Sequence, residues 1–228
     1  MDDPAADPID HRSVDSSAPA SSPDDIELVL PWWQNPLNFI ALGLASLILG
    51  VGIGYFVGHR NASPNYNEVD VGFLQDMRYH HEQAVDMAWF YLTSVDDTHP
   101  RLRLFAEEIL FGQQLEAGRM VQMLRGFGEV EANDSGTAMR WMGMPVPIER
   151  MPGLATDEQL DDFAAAEGDD ASRIFARLMI DHHRAGIDMA DYAVIHGANE
   201  AVDSFARSMI TGQSNEIDAM SAVLDELA

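Results

Sequence analysis

The sequence predicts an all-α protein: a four-helix bundle assembled from two similar helix pairs, preceded by one transmembrane helix. Three observations predict it. The segment at 73–88, FLQDMRYHHEQAVDMA, returns at 175–190 as FARLMIDHHRAGIDMA, with Phe, Met, both His, Asp, Met and Ala in register. A second segment follows each copy. FAEEILFGQQLEAGRMVQML starts at Phe105 and FARSMITGQSNEIDAMSAVL at Phe205, and both carry Gly-Gln-x-x-Glu with a Met one turn later. Third, residues 37–58 contain no charged side chain. A recurring helix pair has an apolar face that it cannot cover alone. Two such pairs covering each other make a bundle, whereas an extended solenoid needs more repeats to bury its ends.

Composition excludes several classes. The 228 residues carry a formal net charge of −25, from 13 basic and 38 acidic side chains, and every basic one is Arg. No basic face is available for nucleic acid. An acidic surface favours cations and solubility. Cysteine is absent, which removes disulfides, thiolate metal sites and a Cys nucleophile. No phosphate-binding loop or nucleophile-elbow pattern occurs.

The elements follow in order. Residues 1–35 are rich in Asp, Ser, Pro and Ala, too poor in apolar groups to offset chain entropy, and are expected to form a disordered acidic arm. Residues 36–58 are expected to span a membrane. At 1.5 Å per residue the run crosses a hydrocarbon core of about 30 Å, and Trp32, Trp33 and Tyr55 suit the two interfaces. A cleaved signal peptide is the alternative reading. Ser46, Gly50, Gly54 and Gly58 recur every four residues, a pattern that lets two spans pack closely and so points to a homo-dimer or a membrane-protein partner. Arg12 before the span, and Arg60 and Arg78 after it, slightly favour a cytoplasmic C-terminal side.

A linker at 59–66 leads to the bundle domain at 67–228, divided into repeat one (67–127), a crossover linker (128–169) and repeat two (170–228). Leu74, Met77, His81, Ala84, Ala88, Tyr91 and Val95 form one helical stripe. Residues 96–100 end in Pro100, a turn followed by a helix start. In the crossover, Met139, Met142, Met144 and Met151 lie close together as a packed cover or a metal-collecting arm. Thr156 before an acidic turn reads as an N-cap, and Gly197 breaks the last two helices.

The repeated polar residues are the candidate site: Met77, His80, His81, Met87 and Glu116 in one half, and Met179, His182, His183, Met189 and Glu216 in the other. Met77 lies three and four residues before the histidines, on a shared face. Met87 is six or seven beyond them, about 9–10 Å along the axis. One ion cannot easily take both methionines from one helix, so it needs partners from other helices or a ladder of sites. Di-iron bundles use Glu-x-x-His where this chain has Met77-x-x-His80 and Met179-x-x-His182. Thioether with imidazole favours Cu(I) or Ag(I), and imidazole also holds Cu(II). Glu116 and Glu216 serve either as ligands or as partners of the histidines. Most of the other Met are core filler.

The elements FLQDMRYHHEQAVDMA, GQQLEAGRM, MGMPVPIERMPGLAT, LMIDHHRAGIDMA and GQSNEIDAM resemble domain-of-unknown-function family 305, from about residue 67 onward. The resemblance implies a ferritin-like helical bundle. It also implies a bacterial envelope protein, exported or membrane-anchored, with the bundle outside the cytoplasm and copper or silver handling in some members; that implication outweighs the charge count. Ser214 and Asn215 stand where the first copy has Gln114 and Leu115, so the halves need not bind equally. The leading expectation is a membrane-anchored protein that sequesters or passes on copper or silver, with no enzymatic constellation visible. The alternatives are a metal-dependent oxidase of ferritin-like type and a metal-free membrane-protein interaction module.

Overall fold

The computed structural model describes residues 31–61 and 64–228, with backbone alone for 59–61. The expected acidic arm therefore lies, up to residue 30, outside the described residues. The chain divides into two compact units, Met1–Asn61 and Ala62–Ala228.

In the first unit a 3₁₀ turn at Trp32–Gln34 precedes helix α1, Pro36–Asn61. The helix thus runs on into the expected linker. The Asn35 side chain accepts from the Leu37 amide at 3.0 Å and caps the helix start. Leucines and isoleucines are exposed on every side of α1, and Pro36–Gly58 is long and apolar enough to cross a membrane. A helix that is apolar all round has no single stripe to lay on a core.

The second unit contains α2 (Glu68–Ser94), α3 (Pro100–Phe127), α4 (Asp157–Ala165), α5 (Gly168–His196) and α6 (Glu200–Glu226). The four long helices form the ferritin-like four-helix bundle. Two short strands, β1 (Thr137–Ala138) and β2 (Val146–Pro147), pair antiparallel in the crossover. Local chemistry sets the helix starts. The Asn67 side chain accepts from the Val69 and Asp70 amides, and Asp70 accepts back from the Asn67 amide. Thr156 and Gln159 make the same reciprocal cap on α4. Pro100 opens α3, where its missing N–H costs nothing.

Helix α2 packs on α3 and α5 on α6, and the two pairs meet where α2 crosses α5. The core is two apolar clusters. One joins Phe73, Met77 and Met120 to Met189, Phe205 and Met209; the other joins Met87, Tyr91 and Ile109 to Phe175, Met179 and Met220. The first half of α2 thus shares a cluster with the second half of α5, so the two helices pass in opposite directions. Each pair also holds the other's hairpin. Asp70 on α2 accepts from the Ala198 and Asn199 amides. Ser172, at the same register on α5, accepts from the His99 amide at 3.2 Å.

The crossover breaks this symmetry, because α2 supplies most of the side-chain hydrogen bonds that anchor it. The buried Asp76 carboxylate accepts from Asn133, from the Met139 amide and from the Trp141 indole, at 2.7, 2.8 and 2.8 Å. Gln83 makes two hydrogen bonds with the Ala155 backbone. Trp141 lies so close to Gly72 that a Cβ there would stand 2.4 Å from its ring. Met139 and Met151 are buried in the first cluster while Met144 is 52% exposed, so part of the methionine group packs as a cover.

Candidate metal centre

Between the two apolar clusters lies one polar layer. His80 and His81 on α2, and His182 and His183 on α5, are fully buried. They reach this layer because the histidine pair sits at the middle of each repeat, where α2 and α5 cross. The His80 and His182 rings stack with centroids 3.7 Å apart and planes 30° from parallel.

The partners of the rings assign their protons. His81 Nε2 lies 2.8 Å from Glu116 Oε2, and His183 Nε2 lies 2.5 Å from Glu216 Oε2. His182 Nε2 lies 2.7 Å from the His80 carbonyl oxygen. Carboxylates and carbonyls accept, so Nε2 is the donor in all three, and in the neutral ring Nδ1 then keeps its lone pair. Those Nδ1 atoms are buried and have no hydrogen-bond partner. On His80 neither ring nitrogen has a partner in hydrogen-bond geometry, although the Pro152 carbonyl lies near the ring. A donor bond on one nitrogen with a bare lone pair on the other is the arrangement that orients a metal-binding imidazole.

Burial also keeps the His80 and His182 rings neutral. Loss of water lowers the His80 pKa to about 3, the neighbouring His81 and His183 add to the effect, and the nearby Pro152 carbonyl opposes it. His182 is pushed well below the ordinary value, first by burial and then by His80 and His183. Neutral imidazole is the form that binds a metal.

Thioethers flank the layer on both sides. Met77 and Met189 belong to one apolar cluster, and Met87 and Met179 to the other. The methionines therefore group across the repeats: each side of the histidine layer draws one from α2 and one from α5. Among the described residues no group of three or more His, Asp or Glu is placed to hold a metal ion. Imidazole nitrogen and thioether sulfur together make a donor set for soft ions.

The structure brings His80, His81, His182, His183, Glu116 and Glu216 into one layer, with the two glutamates paired to histidines. Asp86 and Asp188 are exposed. Sequence reading missed Gly153, which the crossover lays against His80. With φ +82° it takes a left-handed turn, and a Cβ there would meet Ala185 at 2.5 Å and His80 Nε2 at 3.1 Å. It also left Gln113 and Gln213 out of the candidate set, although their place in the repeat marked them. Both are buried, and no atom of either amide has a partner.

Comparison with known proteins fits this picture. A DUF305 protein from Streptomyces coelicolor, inferred to be secreted, is 31% identical over 70% of this chain and 93% of its own, with a TM-score of 0.63. A DUF305 fragment from Deinococcus radiodurans is 27% identical over 72% of this chain and 99% of its own, with a TM-score of 0.61. CopM in its Cu(I)-bound form is 29% identical over 69% of this chain and 96% of its own, with a TM-score of 0.51. CopM structures with Cu(II) and with Ag match similarly. Among curated proteins none matches significantly. The family model for the domain of unknown function DUF305 matches residues 70–224, which takes in the whole histidine layer, and the chain belongs to the DUF305 family.

Proposed function

We propose that the protein binds copper or silver ions in the bacterial envelope, anchored by α1, and sequesters them or passes them on. The observation that carries this reading is the layer of four buried imidazoles whose Nδ1 atoms have no hydrogen-bond partner, flanked on both sides by methionine pairs drawn from both repeats. Each half of the layer offers imidazole nitrogen from His80 and His81 or from His182 and His183. Thioether comes from Met77 with Met189 on one side and Met87 with Met179 on the other. Glu116 and Glu216 orient His81 and His183 through hydrogen bonds. The mixed nitrogen and sulfur set suits Cu(I) and Ag(I), and the imidazoles also accept Cu(II). The relationship to CopM, solved with each of these ions, supports the same reading. A di-iron oxidase needs clustered carboxylates, and among the described residues no cluster of three or more His, Asp or Glu is placed to hold a metal ion.

The test is competition titration of the full chain in detergent against a chromophoric chelator, with Ag(I), Cu(I) and Zn(II). His80→Ala with His182→Ala should weaken all three ions. Met77→Leu with Met189→Leu keeps core volume, costing less than about 1.5 kcal/mol per site, and should weaken Ag(I) and Cu(I) more than Zn(II). Equal losses for soft and borderline ions would reduce the methionines to packing. Unchanged binding in the histidine variant would remove the layer from the site. Membrane fractionation checks the anchor: mature protein beginning after Gly58 would make α1 a cleaved signal.

A further inference from the structure

The fully buried imidazoles need a route from solvent. On the His80 side the crossover closes the way, with Gly153 against the ring. Two approaches remain: the α2–α3 groove, where a cavity of about 410 Å³ touches His81 in the first repeat alone, and the seam between α3 and α6, where one of about 60 Å³ is shared by both repeats. Gly112 and Gly212 line the shared cavity from exposed positions, and Gln113, Gln213, Glu116 and Glu216, with Glu108 added from repeat one, supply its polar wall.

The glutamines are its informative part. Each is only 4% exposed, and all four of their amide atoms lack a hydrogen-bond partner. An orphaned buried polar group is costly, so such groups in native proteins are usually met by a bound water or ion. The cavity has room for a few waters or one ion with part of its shell. The Gln213 amide also reaches α5, since a Cβ on Gly186 would stand 2.6 Å from its Oε1. Gly186 follows His182 by one helical turn, so the amide lies between the seam and the histidine layer. Glu116 and Glu216 bridge the same gap. Their side chains are 25% and 29% exposed, yet each bonds a fully buried imidazole.

Resting on the metal-binding function proposed above, we infer that the α3–α6 seam is a loading site for monovalent soft cations, where Gln113, Gln213, Glu116 and Glu216 take the hydrated ion and pass it inward. Carboxylate charge draws a cation from solvent. Amide and carboxylate oxygens replace part of its water shell. Being hard donors, they hold a soft ion more weakly than nitrogen and sulfur do, so the ion moves on to the histidines. The two-fold arrangement places one glutamine and one glutamate from each repeat around the same small space.

Ag(I) loading of the full chain in detergent, followed by stopped flow, tests this, together with chelator-driven release and the equilibrium affinity. Gly112→Leu with Gly212→Leu narrows the mouth. A Cβ at either glycine meets nothing within 4 Å, and leucine is the better helix former. Gln113→Leu with Gln213→Leu removes the amides and serves as a second variant should the first fail to fold. Loading and release should both slow by about tenfold or more, with the equilibrium affinity changed by less than about twofold, since a port acts on rates rather than on the end states. Wild-type rates in the folded variants would overturn the loading site. So would a large loss of affinity at an unchanged loading rate, which would make these residues resting ligands. A wild-type chain that takes up no Ag(I) is a separate result, and it overturns the metal-binding function itself.

Discussion

His81 with Glu116 and His183 with Glu216 make the same hydrogen bond in the two helix pairs, whereas Asp76 and Leu178, at one register, share nothing. The first is buried and binds three crossover donors; the second packs in an apolar cluster. Gln83 and Ala185 differ likewise: the glutamine ties down Ala155, and the alanine lies where Gly153 passes closest. The solvent faces diverge as well. Phe111 and Leu115 on α3 are 70% and 67% exposed, where α6 has Thr211 and Asn215. The repeats therefore agree where both halves face the same interior and differ where only one meets the crossover or where both face solvent. A shared polar layer constrains both copies by the same geometry. A surface met by one copy constrains only that copy.

Giving α2 the residue of its counterpart is the hardest test of that asymmetry. Asp76→Leu leaves three buried or half-buried donors without their acceptor, and bonds to a charged group contribute about 1.5–3 kcal/mol each. Chemical denaturation should show a loss of about 3 kcal/mol or more. A loss under about 1 kcal/mol would mean that the crossover is held by its apolar contacts instead.

Acid tests the symmetric layer. The folded pKa of His80 is depressed from 6.5 to about 3, so the unfolded chain takes up a proton in a range where the folded chain does not. Stability is then complete above about pH 6.5 and falls as pH drops toward 3. For His80 alone, the 1.5 units between pH 6.5 and 5 correspond to about 2 kcal/mol, and His182 shifts in the same direction. Metal-free protein should lose stability over that interval, and His80→Gln with His182→Gln should flatten the profile. Equal slopes in both proteins would show that the rings are not held neutral.

Gly153→Ala probes the one place where the crossover touches the layer. A left-handed alanine costs about 1–2 kcal/mol, and the contacts at 2.5 and 3.1 Å add to that. Thermal unfolding should register about 2 kcal/mol in total. The matching change on the symmetric side, Gly186→Ala, installs the residue that repeat one carries as Ala84, and the Gln213 amide need only swing aside. It should cost less. The smallest effect belongs to the solvent faces: Phe111→Thr with Leu115→Asn copies α6 onto α3 and should change stability by no more than about 0.5 kcal/mol.

The residue order already specified the four long helices, the Thr156 cap, the start at Pro100 and the break at Gly197. Caps and apolar periodicity act within a few residues, so they are written locally. The repeat likewise marked His80, His81, His182, His183, Glu116 and Glu216, because both copies repeat them at the same offsets. Packing alone decided how the sulfur is shared. Spacing along one helix separates Met77 from Met87 but says nothing of Met189, which joins Met77 only because α2 and α5 cross in opposite directions. Packing also buried Asp76, stranded the Gln113 and Gln213 amides and laid Gly153 against His80. Each of these depends on segments tens of residues apart meeting at one point, and helical periodicity carries no information about what lies across that gap.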